Sequence, residues 1–188
     1  MGLPTAVAYV SPGATWSVVA ETGLARLAFI TCLVSQDGET SKSIPSVVTP
    51  ETMKITTVGR DNWRREVRTF TADVPAARLI AGETVHLVSG GWSSFPPHKH
   101  DTWTESGERS LEEFYFYRCQ PDSGFGVQLV YGNRVDFAER VTGGDCVIID
   151  RGYHPVAAAP GTIVSYLWAL AGEIPELGVT IDPSFERL

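Results

Sequence analysis

His98 and His100 stand two residues apart in the stretch Gly90-Gly91-Trp92-Ser93-Ser94-Phe95-Pro96-Pro97-His98-Lys99-His100-Asp101. On an extended strand alternate side chains share a face, so both imidazoles can meet one metal ion at about 2.0–2.1 Å while Lys99 points away. An isolated pair of this kind also occurs as a plain surface pair, so its neighbours decide its meaning. Leu111-Glu112-Glu113-Phe114-Tyr115-Phe116-Tyr117-Arg118 reads as a strand that begins with carboxylates, and Gly152-Tyr153-His154-Pro155 places another histidine after a tight turn. Three of the chain's four histidines therefore fall at strand edges with a glutamate available. Neutral imidazole with carboxylate suits zinc, manganese, iron, nickel or cobalt alike.

Strand parity divides the second stretch into two faces. Leu111, Glu113, Tyr115 and Tyr117 share one, and Glu112, Phe114, Phe116 and Arg118 the other. Pattern alone allows either to face a lumen; the tyrosine-bearing face suits the wall of a polar pocket.

The elements that must hold these residues are β-strands. Short β-branched and aromatic runs are separated by Gly, Pro, Asn and Asp, and helical periodicity is hard to find. Strands are expected at Ala25 to Val34, Thr52 to Val58, Arg65 to Thr71, Glu83 to Ser89, Leu111 to Arg118, Phe125 to Tyr131, Asp145 to Asp150 and Thr162 to Ala169. Only Pro75 to Ala81 invites a helical turn. Many short strands at near-regular spacing predict an all-β sandwich or barrel. A boundary is expected near Ser41 to Pro50, dividing a short N-terminal β segment, 1–50, from a main unit, 51–188. The first segment is too small to enclose a core, so its strands should pad the barrel or a partner copy.

The chain has 188 residues, 43% of them hydrophobic, and 15 Lys and Arg against 22 Asp and Glu give a net charge of −7. That balance argues against a nucleic-acid or anionic-membrane surface. No apolar run approaches the roughly 18 residues of a membrane span, and the first residues lack a signal-peptide pattern. Cys32, Cys119 and Cys146 are odd in number and widely spaced, as expected of buried thiols in a reducing compartment. A cytoplasmic protein is expected.

The His-x-His pair, the later Glu and the Gly-Asp-x-Val-x-x-x-x-Gly-x-His run resemble the two motifs of the cupin superfamily, jelly-roll β-barrels that hold a metal with three His and one Glu. More closely, Gly-Gly-Trp-Ser-Ser-Phe-Pro-Pro-His-Lys-His-Asp, Leu-Glu-Glu-Phe-Tyr-Phe-Tyr-Arg, Gly-Phe-Gly-Val-Gln-Leu-Val-Tyr and Arg-Gly-Tyr-His-Pro-Val-Ala-Ala-Ala-Pro-Gly resemble the 5-deoxy-glucuronate isomerase family of inositol catabolism, related to the uronate ketol-isomerases. The match runs from about Met53 to Gly172. It implies a jelly-roll barrel, a divalent metal, zinc first with manganese, nickel or iron as alternatives, and interconversion of an aldose uronate and a keto sugar acid. The implied ligands are His98, His100, Glu113 and His154, with residues 101–112 as an inserted loop. Family members usually carry two tandem barrels, so residues 1–50 are read as the remnant of a first.

The implied chemistry needs proton transfer between adjacent carbons, for which Tyr115, Tyr117, Tyr166 and Glu112 are candidates. It also needs a cation for the substrate carboxylate. Arg151 is the first choice, because parity turns Lys99 and Arg118 away; Gln128, polar in an apolar strand, is a candidate for the sugar hydroxyls. His86 matches no family ligand and is read as structural, and Trp92, Phe95, Tyr153, Cys119 and Cys146 as packing. Trp168 stands where the family has Asn, and Asp150 where it has Pro, which points to an altered pocket. A second reading keeps the metal barrel as a dioxygenase or a non-catalytic sugar-acid binder. Partners are expected to be a small sugar acid and a second copy of the chain in a homodimer, since unpaired strand edges invite pairing.

Overall fold

The computed structural model describes residues 6–10, 13–21, 23, 25–33, 46–71, 79–132, 134–174 and 176–188. Among them the strands are, in chain order, β1 (Val7–Tyr9), β2 (Ser46–Val48), β3 (Lys54–Val58), β4 (Arg65–Thr69), β5 (Leu79–His86), β6 (Trp92–Ser93) and β7 (His98–Lys99). There follow β8 (Glu112–Gln120), β9 (Gly126–Gly132), β10 (Val135–Val141), β11 (Cys146–Ile149), β12 (Val156–Ala158), β13 (Ile163–Ala171) and β14 (Thr180–Ile181). A six-stranded sheet has the order β11-β8-β13-β5-β4-β3, and a four-stranded one the order β10-β9-β12-β6. β1 pairs with β2 and β14 with β7. The expected all-β barrel is what forms.

Alternation along β8 sets the inside of the barrel. Glu113, Tyr115, Tyr117 and Cys119 are buried, while Glu112, Phe116 and Arg118 are exposed. Cross-strand partners share a face, so the register carries that inner face across the sheet. Tyr117 lies opposite Tyr166, Tyr166 opposite Thr84, Thr84 opposite Val67, and Arg65 opposite His86. This face packs with Val141, Val156 and Ala158 of the four-stranded sheet in the larger core. On the outer face Met53, Phe70, Ala81 and Ala169 form a second cluster, against which Val7, Ile30, Val48 and Phe114 pack.

Trp168 does not disorder this arrangement. Its cross-strand neighbour is Gly82, where a Cβ would lie 2.3 Å from the indole Cζ2 and 2.4 Å from the Arg68 carbonyl oxygen. The missing side chain makes the seat for the indole, whose Nε1 donates to Thr84 Oγ1 at 3.1 Å.

Several expectations need correction. Residues 25–33 form no strand, and Val34 lies outside the described residues. In the expected helical turn, Leu79 to Ala81 open β5 instead, and 75–78 lie outside the described residues. Of the thiols expected to be buried, Cys119 is, but Cys32 is only partly so and Cys146, at the start of β11, is exposed. In the expected boundary stretch, 41–45 lie outside the described residues and Ser46–Val48 pairs with β1. β10 was not anticipated: Asp136, Glu139 and Arg140 are exposed on an outward-facing strand beside β9 and break the apolar pattern.

Candidate metal centre

Three short segments converge to bring four candidate ligands together. β7 and the residue after it bring His98 and His100, the start of β8 brings Glu113, and the turn between β11 and β12 brings His154. The turn depends on Gly152, which has φ +86° and whose Cβ would lie 2.8 Å from the Tyr131 carbonyl oxygen. A side chain there is opposed both by backbone conformation and by space.

His100, Glu113 and His154 are all buried, and each offers a ligand atom within 4.8 Å of the others. Nε2 of His100 is 3.1 Å from Glu113 Oε2, and Nε2 of His154 is 3.4 Å from the same oxygen. The His98 ring adjoins this group, 4.9 Å from the His154 ring between centroids. The far nitrogens are all held by backbone carbonyls: Nδ1 of His98 by Pro96 at 3.0 Å, of His100 by Leu111 at 3.2 Å, and of His154 by Gly152 at 2.9 Å. A carbonyl only accepts, so each Nδ1 carries the proton; Nε2 of His100 and of His154 face Glu113, and in a neutral ring that nitrogen offers a lone pair. The buried His154 Nε2 has no hydrogen-bond partner. Lone pairs converging beside a carboxylate fit a divalent cation, and backbone carbonyls behind the rings are the usual means of fixing ligand tautomers.

Electrostatics agree with this donor set. Burial, then the His98 and His100 charges, hold His154 well below the ordinary histidine value. Burial takes His98 to about 4, against the opposing Pro96 contact. Burial also pushes Glu113 up, opposed by its bond to His100; in His100 the Glu113 contact outweighs burial and raises the value. Two of these imidazoles are thus neutral and ready to ligate at pH 7.

A wall of hydroxyls lies beside the cluster. Ser94, at φ +48°, brings its Oγ within 2.7 Å of the Tyr115 hydroxyl and 3.3 Å of the Tyr166 hydroxyl. Tyr166 donates to Ser93 Oγ at 2.9 Å, and His86 Nε2 is 2.7 Å from the same oxygen. Burial raises the phenol values of Tyr115 and Tyr117 well above normal, and that of Tyr166 as well. All three stay protonated and are donors at neutral pH.

The other expected residues lie elsewhere or are committed. Gln128 is fully buried: its Oε1 accepts from Tyr117, and its Nε2 reaches the carbonyls of Leu129, His154 and Pro155 at 2.8, 3.0 and 3.3 Å. That is the satisfied amide of a structural residue, one that ties the β8 wall to the His154 turn. Arg151 is half exposed, and its Nε and Nη2 grip Asp150 at 3.1 and 2.6 Å. The structure does not bring it to the cluster. Lys99 is held by Asp101 and Glu108, both at 2.7 Å, and Glu112 faces solvent.

Sequence reasoning missed the anchors. Glu108, in the inserted loop, is buried and also accepts from the backbone N–H groups of Asp101 and Thr102 at 3.1 and 3.0 Å and from the Thr180 hydroxyl. Asp101 Oδ2 accepts from Gly152 N at 2.8 Å, fixing the His154 turn to the His98 and His100 segment. A carboxylate three residues from a loop's end carries no sequence signal for such work.

His86 is buried and held at about 4 by burial and by the Arg65 charge. Between pH 6.5 and 4 the unfolded chain therefore takes up a proton here that the folded protein refuses, so stability falls as pH falls. One histidine shifted this far contributes a loss of roughly 2–3 kcal/mol by about pH 4.5. We expect His86→Gln to flatten the decline of the urea midpoint between pH 7 and 4.5; parallel curves for the two proteins would refute it.

Comparison with known proteins accords with the fold and the site. The chain is 34% identical over 142 residues to 5-deoxy-glucuronate isomerase of Geobacillus thermodenitrificans, covering 74% of this chain and 52% of that protein. With 5-deoxy-glucuronate isomerase of Bacillus licheniformis it shares 32% over 186 residues, 97% of this chain and 66% of that one. The crystal structure of an IolB-like protein from Salmonella typhimurium LT2 superposes with a TM-score of 0.73 at 32% identity, over 76% of this chain and 55% of that one. The chain spans about half to two thirds of the length of these relatives. Among the described residues no helix is long and apolar enough to cross a membrane. The family match extends over residues 2–188, and the chain belongs to the KduI/IolB family.

Proposed function

We propose that the chain carries the site of a metal-dependent isomerase interconverting an aldose uronate and a keto sugar acid, as 5-deoxy-glucuronate isomerases do by name. The observation that carries this reading is the buried cluster of His100 Nε2, His154 Nε2 and the Glu113 carboxylate, with the His98 ring against it and a wall of protonated tyrosines beside it. His98, His100, Glu113 and His154 would hold the metal, zinc first among zinc, manganese, nickel and iron. A divalent ion there would supply Lewis-acid polarisation of the sugar's carbonyl and neighbouring hydroxyl. Within 51–188, the unit that carries the site, Tyr115, accepting from Ser94, donates a hydrogen bond to the oxygen that gains charge as the proton moves between adjacent carbons, and Tyr166, donating to Ser93, lines the same wall. Tyr117, bound to Gln128, supports this wall from behind.

The test is turnover of 5-deoxy-glucuronate after loading with each metal. Isomerisation that a chelator abolishes and one metal restores is expected. No turnover with any metal in a fully occupied site would overturn the reading.

A further inference from the structure

A uronate brings a carboxylate into a protein of net charge −7, and of the cations nearest the motifs in sequence Arg118 is exposed on the outer face of β8 while two others are committed. Lys99 is paired with two carboxylates and Arg151 with Asp150. Arg65 is different. It opens β4 opposite His86, on the face of the sheet that also bears Tyr166, Tyr117, Tyr115 and Glu113. Its Nη1 donates to the Trp63 carbonyl at 3.2 Å, and its guanidinium carbon sits 5.9 Å from the centre of the Trp63 ring. Among the described residues no carboxylate lies within ion-pair distance of it, and Nε and Nη2 have no protein acceptor. That free edge is the fork that takes a carboxylate through two parallel N–H···O bonds.

We propose that Arg65 is the receptor for the carboxylate of the sugar acid, with the Trp63 carbonyl and ring holding its guanidinium so that the Nε–Nη2 edge faces the barrel interior. Its charge is felt by His86, His98, Tyr115 and Tyr166, the groups that surround the proposed reaction centre. Burial of the guanidinium disfavours its charged form, and no protein anion offsets that cost; a bound carboxylate would. The assignment rests on the uronate reading above, and it makes Arg65 a determinant of specificity for acids over neutral sugars.

Glucuronate binding by calorimetry tests it without requiring turnover, with glucose as the neutral control. Arg65→Gln should weaken glucuronate by at least about tenfold, as expected for loss of a charge-assisted fork. Arg65→Lys, which keeps the charge and loses the fork, should fall between. Metal content and the far-UV spectrum of both variants should match the parent. In turnover the loss should appear in KM more than in kcat, because the carboxylate stays bound throughout the reaction. Equal glucuronate affinity in parent and Arg65→Gln, or no glucuronate binding by the parent, would overturn the assignment. Arg65-dependent binding without turnover would instead uphold it and sink the isomerase reading. Should Arg65→Gln fail to fold, Arg65→Lys decides: unchanged affinity overturns the fork.

Discussion

Glu113→Gln is expected to empty the metal centre and abolish turnover, while Glu112→Gln next to it leaves both intact. Glu113 is the one carboxylate in the tight group and is buried with His100 and His154. Its amide would be a poor ligand for a hard or borderline dication and would leave the cluster without a negative charge. Changing a residue behind a ligand typically costs about 10–100-fold in metal affinity; removing the only anionic ligand should cost more. Without Glu113, His100 also loses the contact that raises its proton affinity, so the apo site becomes a set of neutral imidazoles. Glu112 points to solvent from the same strand, which makes the pair a direct reading of parity. Elemental analysis after dialysis, with turnover on the same samples, checks both. Equal occupancy in Glu113→Gln and the parent would show that Glu113 is not a ligand.

The centre was legible in sequence because its signals are local. His98 and His100 obey a period of two, Glu113 is the first inward residue of a strand whose alternation is unbroken to Cys119, and Gly152 announces the turn before His154. What surrounds it was not legible, because those roles arise from contacts between distant segments. Arg65 reads as an ordinary strand arginine until the register sets it opposite His86, and Ser93 and Ser94 carry no signal until Tyr115 and Tyr166 reach them across the barrel. Glu108 and Thr180, 72 residues apart, meet only when β14 pairs with β7. The same physics explains the misplaced strands. Ala25 to Val34 has the composition of a half-buried strand, but Leu27 and Phe29 are exposed, and strand propensity counts only where a neighbour and a covering layer exist. β10 shows the reverse case, where pairing with β9 over seven residues outweighs a polar sequence.

Gln128→Leu should weaken the fold and the metal site together, although the residue touches neither metal nor solvent. The side chain is close in volume to the original, so packing changes little. The Tyr117 hydroxyl, fully buried on the facing sheet, would lose its acceptor, and the His154 carbonyl would lose its donor. Stranding buried polar groups costs about 1–3 kcal/mol each, so a loss of about 2–6 kcal/mol in urea unfolding is expected. The His154 turn would be released on one side, since Gln128 grips its backbone while Asp101 grips Gly152. A ring whose tautomer is set by the Gly152 carbonyl then no longer aims its Nε2 reliably, and metal affinity should fall by about 10–100-fold. Gln128→Glu separates the two effects. It keeps an acceptor for Tyr117 but turns a second oxygen on the carbonyls of Leu129 and His154, so it should harm the His154 turn while sparing the Tyr117 bond. If Gln128→Leu loses stability but binds metal as tightly as the parent, the amide is a cross-barrel tie alone and His154 is held by Asp101 and Gly152.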